Sequence, residues 1–326
     1  MHREKNAEDK TILIALGGNA LLRPDQEATY ENQLANVAAS ARLLAKLAAK
    51  GYRLAITHGN GPQIGNILRQ NEEASAVVPP LPLDVCLSES QGLIGYMIQQ
   101  SLNSALHQMG LDRQAVCILT RVEVAGDDPA FGDPAKPIGP AYRAEAANQL
   151  MAAKKWMMKL DAGRGWRRVV PSPKPRRILE TQAVASLLKD GFIPIACGGG
   201  GIPVVKGKGG IYEGIEAVVD KDLSSAKLAQ EIEADLLVIA TDVENVYLDF
   251  GRPGQRPLGE IAVAELKEYI RQGQFTRGSM GPKIEAAVQF AENMGQPAII
   301  CALDRIDAAI EGRSGTRVSS SRRKTA

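Results

Sequence analysis

The chain has 326 residues, with 39 lysines and arginines against 37 aspartates and glutamates, and 44% of its residues are hydrophobic. This length allows one large α/β domain or two lobes, and the hydrophobic fraction is enough for a sizeable core. The balanced charge argues against a general nucleic-acid or membrane surface, so an anion site must come from locally placed lysines.

The sequence carries no signal for export or membrane insertion. No run approaches the roughly 18 apolar residues of a membrane helix, and residues 1–10 lack the apolar segment of a signal peptide. We therefore expect a cytoplasmic protein with a disordered or tag-like start. The four cysteines are isolated from one another, and without a Cys/His spacing they indicate small buried side chains rather than a zinc site.

The first predicted element is a buried strand that runs directly into a glycine turn. Five apolar residues in succession, Ile12 to Leu16, fit a parallel strand covered on both faces. Gly17 and Gly18 then allow the backbone to approach a ligand with free N–H groups, and Asn19 adds a side-chain donor. Such a strand end is where an open α/β sheet binds anions.

Two further strand-to-glycine turns repeat this pattern. One, Thr57 to Pro62, follows the predicted strand 52–56, and the other, Gly198 to Gly201, follows the predicted strand 192–197. An ordinary loop explains one such turn, but three in one chain indicate more than a folding requirement. His58 lies in the second turn, either as a catalytic residue or as a turn residue that hydrogen-bonds the backbone.

Helices and strands alternate through the rest of the chain. Periodicity and end signals predict helices at 32–50, 88–109, 179–190, 223–232, 261–272, 284–294 and 305–311. Further strands are predicted at 115–124, 235–241, 297–302 and 316–320, with a Gly-rich hairpin at 206–212. Capping-box spacing from Ser88 to Gln91 marks the start of the second helix. The alternation predicts a three-layer αβα sandwich on a mostly parallel open sheet.

Residues 125–175 interrupt this alternation. The segment is rich in glycine, proline and charge, and its periodicity is weak. A connection of this length predicts an inserted, protruding subdomain that acts as a lid over a site.

Nine motifs follow one another along the chain. They are ALGGNALL, THGNGPQIG, SESQGLIGY, KPIGP, RRVVPSPKP, GGGGIPVV, AVVDKDLSSAKLA, TDVENVY and GSMGPK. In this order, and over about residues 11–318, they resemble the amino acid kinase family. GGNA or TDVENVY alone indicates only that broad family, whereas HGNGPQ, KPIGP, SPKP and VVDKD together resemble the carbamate kinases within it.

The resemblance implies reversible phosphoryl transfer, in which ATP and carbamate give ADP and carbamoyl phosphate. It also implies Mg²⁺ bound with ATP or ADP, a homodimer, and a reaction run toward ATP in arginine or purine catabolism. The amino-terminal lobe, 11–204, would hold the acceptor and carry the lid. The carboxy-terminal lobe, 205–320, would hold the nucleotide, followed by a tail at 321–326.

The same resemblance assigns roles to individual residues. Catalytic roles fall on Lys136, Lys221, Asp222 and Lys283. The substrate and the transferred phosphoryl would be bound by Gly17, Gly18, Asn19, Gly59, Asn60 and Gly61. The nucleotide would be bound by Asp220, Lys221, Asp242, Val243, Tyr247, Met280 and Lys283. No direct protein ligand to the metal is implied, and Asp222 would orient the lysines and contact Mg²⁺ through water.

The chemistry of the residues agrees with this reaction. Phosphoryl transfer needs positioning and neutralisation of negative charge more than covalent chemistry. Carbamate is already an anion, so it needs a cationic pocket and no general base. The sequence has no GxxxxGK[ST] motif, which excludes a P-loop kinase.

Other interpretations stay open from the sequence. A lysine between two aspartates, as at Lys221, is often a solvated ion pair. The chain could phosphorylate another small acid, such as acetylglutamate, aspartate or a carbamate-like compound, or UMP, although the insert containing KPIGP argues against UMP. It could also be a sensor of carbamoyl phosphate or nucleotide that does not catalyse transfer.

Overall fold

The computed structural model describes residues 10–23, 26–161, 165–275 and 280–321. Within these ranges the helices are α1 (Tyr30–Ala49), α2 (Gly61–Glu73), α3 (Leu83–Gln108), α4 (Ala144–Lys154), α5 (Thr181–Lys189), α6 (Lys221–Glu231), α7 (Val263–Arg271), α8 (Met280–Met294) and α9 (Ile306–Ile310). Of the predicted start, 1–10, and the predicted tail, 321–326, residues 1–9 and 322–326 lie outside the described residues.

The strands fall into one large sheet and three small ones. In chain order they are β1 (Thr11–Leu16), β2 (Arg53–His58), β3 (Ala115–Cys117), β4 (Arg121–Val124), β5 (Lys136–Tyr142), β6 (Met158–Asp161), β7 (Gly165–Val170), β8 (Pro175–Ile178), β9 (Ile193–Ile195), β10 (Ile202–Lys206), β11 (Tyr212–Gly214), β12 (Leu236–Thr241), β13 (Val246–Leu248), β14 (Arg256–Leu258), β15 (Glu260–Ala262), β16 (Ala298–Ala302) and β17 (Thr316–Ser319).

The large sheet confirms the predicted α/β class. Its strand order is β15-β17-β16-β12-β1-β2-β9-β3, and every neighbouring pair is parallel except β16 with β17. Its strands come from both halves of the chain. The proposed division into an acceptor lobe and a nucleotide lobe stays a prediction.

Two hydrophobic cores cover opposite faces of this sheet. Along β1, Leu13 and Ala15 belong to one core, while Ile12, Ile14 and Leu16 belong to the other. Successive side chains of a strand point to opposite faces, so a fully apolar strand is the pattern of a middle layer. This explains why β1 and β12 read as unbroken apolar runs in the sequence.

The helix predicted at 284–294 begins at Met280, about one turn before Ile284. Two other predicted boundaries are also wrong, and long-range contacts explain both. The second predicted helix begins at Leu83 rather than Ser88, because the Leu83 N–H donates to Glu216, 133 residues away in sequence. The predicted strand 115–124 is two strands in different sheets. Between them, the side-chain amide of Gln91 donates to the Thr120 carbonyl and accepts from its N–H, which satisfies the backbone where it leaves the sheet.

The segment 125–175 contains more regular structure than its composition suggests. Strands β5, β7 and β6 form an antiparallel sheet beside α4. This sheet packs on α2, where a Cβ added to Gly65 would lie 3.2 Å from the Cα of Gly139. Helix α2 was not predicted, and its contact with β5 fixes the position of the insert, including Lys136.

None of the described helices combines the length and the apolar character that a membrane span requires.

Candidate functional site

Three neighbouring strands of the large sheet end at the same edge. Because β2, β1 and β12 are parallel, Gly59, Gly17 and Asp242 follow them at that edge. A Cβ on Gly17 would lie 2.7 Å from the Ala240 carbonyl oxygen, so the close approach of two strands requires glycine there. The structure thus brings the first two predicted glycine turns together. The Asn19 side chain lies outside the described atoms.

The third glycine turn lies behind the second one. A Cβ on Gly199 would lie 2.1 Å from the Asn60 side chain, and one on Gly200 would lie 2.2 Å from the Val219 carbonyl oxygen. Both glycines also have positive φ, at 65° and 96°. Close packing accounts for these glycines, although Gly199 also reaches the wall of the candidate site.

A cluster of lysines and aspartates forms where α6 begins. Asp220 caps this helix, accepting from the N–H of Asp222 at 2.9 Å. The Asp222 carboxylate is buried and lies 2.7 Å from the Lys221 ammonium and 2.9 Å from the Lys283 ammonium. Lys136, on β5 of the insert, lies 2.7 Å from the second oxygen of Asp220. The four predicted catalytic residues therefore lie in one cluster.

The cluster holds three lysines and two aspartates, and the carboxylate of Asp242 also acts on Lys283. Burial alone would raise the pKa of Asp222, but Lys221 and Lys283 outweigh it and hold that pKa well below its usual range. Burial lowers the pKa of Lys221, and Asp222 opposes this effect. For Lys283, burial is outweighed by Asp222, so its pKa is raised. Two ammonium groups thus share one carboxylate in a buried site, which favours the arrival of an anion.

The Lys221 ammonium retains unused donor capacity. It is buried, and although it lies close to Asp222 it makes no well-aligned hydrogen bond in the described structure. A buried donor without an aligned acceptor is destabilising unless a ligand satisfies it. A Cβ on Gly59 would lie 3.9 Å from both Lys221 Cδ and the Gly18 nitrogen, so this lysine lies beside the glycine turns.

Two cavities meet at Lys283. One, of about 180 Å³, is lined by Gly17, Gly18, Ala20, Ala240, Thr241, Asp242, Lys283 and Leu303. The other, of about 270 Å³, has walls formed by the predicted residues Gly59, Asn60, Gly61, Lys136, Asp220, Lys221, Asp222 and Lys283, among others. Lys283 is common to both cavities, and its ammonium lies 2.9 Å from Asp222 in the wall of the larger one.

Three helix N-termini also converge on the larger cavity. Gly61 begins α2, Lys221 begins α6, and Pro282 and Lys283 lie in the first turn of α8. The free N–H groups and the dipole of a helix N-terminus attract anions. Lys221 and Lys283 lie in the first turns of α6 and α8, where their positive charge is unfavourable for the helix dipole. A bound anion would offset this unfavourable interaction.

The remaining predicted nucleotide residues lie outside the walls of these two cavities. Val243, Tyr247 and Met280 are half-buried and line neither of these two cavities. Asp242 accepts a hydrogen bond from Thr241 at 2.9 Å. The first residues of the GSMGPK motif, 278 and 279, lie outside the described part of the chain.

Sequence reasoning missed the residues that support Lys221. The Thr57 hydroxyl lies 2.6 Å from the Ser225 hydroxyl, which in turn donates to the Lys221 carbonyl at 2.7 Å. This chain connects the end of β2 with the first turn of α6. The only signal in the sequence was the helical spacing of Ser225 from Lys221, which does not identify Thr57 as a partner.

The described residues contain no group of three or more His, Cys, Asp or Glu side chains that could hold a metal ion. Asp242 contributes a carboxylate to the wall of the smaller cavity. This donor set suits an ion such as Mg²⁺ that keeps several water ligands and is bound mainly by phosphate oxygens.

Comparisons with known proteins agree with this geometry. The model of the amino acid kinase family matches residues 10–302. The carbamate kinase of Thermococcus kodakarensis is 46% identical over 312 residues, 95% of this chain and 99% of that protein. Carbamate kinase 2 of Staphylococcus aureus is 47% identical over 310 residues, 94% and 98% of the two chains. The structure of Giardia lamblia carbamate kinase bound to AMP-PNP has a TM-score of 0.89 at 40% identity, covering 95% of this chain and 98% of that one.

The mostly parallel α/β sandwich, the lysine and aspartate cluster beside the carboxyl edge of its sheet, and the lack of a P-loop motif are all compatible with a phosphotransferase outside the P-loop class. The chain belongs to the amino acid kinase family. Within that family it groups with the carbamate kinases, as its motifs indicated.

Proposed function

We propose that the protein is a carbamate kinase, which transfers the γ-phosphoryl group of ATP reversibly to carbamate. The observation that carries this proposal is the pair of buried ammonium groups, Lys221 and Lys283, that share Asp222 where the two cavities meet. The names of relatives that are 46% and 47% identical over nearly the whole chain support it.

The arrangement suggests where each substrate binds. The phosphates of the nucleotide would occupy the smaller cavity, against the N–H groups of Gly17 and Gly18. Carbamate would bind in the larger cavity, beside Gly59 and Lys136. The phosphoryl group would then move across the boundary that Lys283 forms between them.

The transfer requires no proton movement. A carbamate oxygen attacks the γ-phosphorus, the bond from that phosphorus to the β,γ-bridging oxygen breaks, and the negative charge passes to ADP. Lys221 and Lys283 neutralise the phosphoryl oxygens during this step, while Asp222 orients both ammonium groups. Mg²⁺, held by the nucleotide phosphates near Asp242, would supply further neutralisation of the phosphate charge.

Three further properties belong to this proposal. We propose that the enzyme acts in the cytoplasm, forms a homodimer and runs toward ATP formation in catabolism. They are supported by the likeness of nearly the whole chain to carbamate kinases.

The proposal is tested by measuring ATP formation from ADP, Mg²⁺ and carbamoyl phosphate. Acetyl phosphate in place of carbamoyl phosphate, and UMP with ATP, serve as parallel controls. We expect turnover that is specific for carbamoyl phosphate. Turnover with acetyl phosphate or UMP alone would indicate another acceptor, and nucleotide binding without any turnover would indicate a sensor.

Replacing Lys136 by methionine should weaken the acceptor site without unfolding the protein. Its side chain is one-third exposed and its ammonium is paired with Asp220, so we expect a fall of about tenfold in kcat/KM for carbamoyl phosphate, the effect of one charge-assisted hydrogen bond. Lys159→Met is the matched control, because this lysine belongs to the same insert but pairs with the exposed Asp133. Equal losses in the two variants would show that Lys136 has no specific role.

A further inference from the structure

His58 is a buried residue to which the proposed reaction gives no role. It ends β2, is 1% exposed, and its Nδ1 lies 2.9 Å from the carbonyl oxygen of Gly59. A carbonyl oxygen only accepts hydrogen bonds, so Nδ1 must carry the proton that is donated to Gly59. The hydrogen bond therefore selects one tautomer of the ring.

The surroundings keep this imidazole neutral and in place. Burial lowers the pKa of His58 to about 4, and the positive charge of Lys221 acts in the same direction. On the other side of the ring, a Cβ on Gly198 would lie 2.5 Å from Nε2, so the third glycine turn packs closely against it. A neutral ring with a fixed Nδ1–H remains a hydrogen-bond donor throughout the physiological pH range.

The acceptor of this hydrogen bond controls the direction of the next amide. In a trans peptide the C=O of Gly59 and the N–H of Asn60 point in opposite directions. Asn60 lines the larger cavity, and its backbone N–H has no acceptor among the described residues. Its side chain is fixed separately, because the amide nitrogen donates to Ser90 at 2.8 Å.

Without this contact, the peptide between residues 59 and 60 would lose the hydrogen bond that sets its direction, while its flanks stay held by the Gly59 N–H, which donates to Leu16, and by the Asn60 carbonyl, which accepts from Ile64. Rotation of this peptide changes ψ of Gly59 and φ of Asn60, and Gly59 accepts backbone conformations that other residues avoid, so the held flanks do not by themselves set the direction of this amide. A rotated peptide would point the Gly59 carbonyl oxygen at the cavity and repel an anionic substrate.

We propose that His58 is a positioning residue, whose Nδ1–H···O=C hydrogen bond to Gly59 keeps the Asn60 N–H directed into the larger cavity as a donor to the anionic acceptor. This role rests on the proposed function of that cavity as the carbamate and carbamoyl phosphate site. His58 does not contact the substrate and transfers no proton in this role.

Two substitutions distinguish the effect of the Nδ1–H donor from the effect of the volume that the ring fills. His58→Asn places an amide N–H near the position of Nδ1, whereas His58→Leu keeps an apolar side chain and removes the donor. For His58→Leu we expect KM for carbamoyl phosphate to rise about ten- to hundredfold, the effect of losing one hydrogen bond to a charged group. For His58→Asn we expect a change of less than about threefold, and KM for ADP should stay constant in both.

Calorimetry without ADP tests the same proposal in the absence of turnover. It measures the affinity of each variant for carbamoyl phosphate and for inorganic phosphate. Equal losses in both variants, or no loss in either, would overturn the proposal. Absence of turnover in the wild-type protein, with phosphate affinity still different between the two variants, would instead refute the proposed reaction and leave the role of His58 supported.

Nitrogen-15 NMR of the histidine rings tests the proposal in the wild-type protein itself, so the result holds even if a variant does not fold. We expect His58 to be neutral and protonated at Nδ1 from pH 5.5 to 8. A ring protonated only at Nε2 cannot donate to Gly59 and would contradict the proposal.

Discussion

Replacing Lys221 by methionine should lower kcat by about 10²- to 10³-fold while the protein stays folded. The Lys221 side chain passes beside Gly59 at its Cδ, and its ammonium is buried and lacks a well-aligned acceptor, so its donors are available to the transferred phosphoryl group. Methionine has a similar length, and Asp222 keeps its ion pair with Lys283. The initial rate of ATP formation at saturating ADP and carbamoyl phosphate measures this effect.

The matched control is Lys227→Met on the same helix. Lys227 lies at the outer face of α6, where its ammonium is 3.6 Å from Glu231. It belongs to neither cavity wall, so we expect kcat within about twofold of wild type, as for a partly exposed ion pair. Unchanged transfer in the Lys221 variant would refute the catalytic role of this lysine.

Replacing Asp222 by asparagine should have the largest effect on stability. The change leaves two buried ammonium groups without their shared carboxylate, and removal of one partner from a buried ion pair costs about 3 to 5 kcal/mol. Denaturant unfolding, with the midpoint and slope measured separately, tests this expectation. Transfer should also fall, because the lysines lose the group that orients them.

Asp307→Asn is the control for this variant. Asp307 also pairs with a lysine, Lys50, but both side chains are exposed and Lys50 retains Glu311 at 2.9 Å. We expect a change below about 1 kcal/mol in the free energy of unfolding. Similar losses in the two variants would mean that Asp222 has no special electrostatic role.

The wild-type protein should lose stability in two steps as pH falls. His58 has a pKa of about 4 in the fold against an ordinary value of 6.5, so the unfolded chain binds a proton that the folded chain does not. The stability that the neutral ring contributes is lost between these values. Asp222, with its lowered pKa, contributes stability that is present above its usual value of 3.8 and lost below it. Unfolding of the Asp222→Asn variant should retain only the first step.

The sequence was most informative where one local pattern determines one local structure. The apolar run of β1 is buried on both faces, and the glycines after β1 and β2 meet at one edge because those strands are parallel neighbours. Prediction from the sequence failed where a residue far away in the chain determines where a helix or strand begins or ends. The start of α3 depends on Glu216, and the break between β3 and β4 depends on Gln91, which no short window contains.

The candidate site shows the same contrast. Asp220, Lys221 and Asp222 are adjacent in sequence at a helix start, so their proximity followed from α6 alone. The position of Lys136 depends on the packing of an inserted sheet against α2, a helix that the sequence did not predict. The support of Lys221 by Thr57 spans 168 residues through Ser225, and only the folded chain reveals it.

The most direct test of this mechanism is a crystal structure of the protein with AMP-PNP and Mg²⁺. The mechanism predicts γ-phosphate oxygens at hydrogen-bond distance, about 2.7 to 3.2 Å, from the ammonium groups of both Lys283 and Lys221, where the two cavities meet. A γ-phosphate bound away from both lysines would contradict it, since neither group could then neutralise the charge that is transferred.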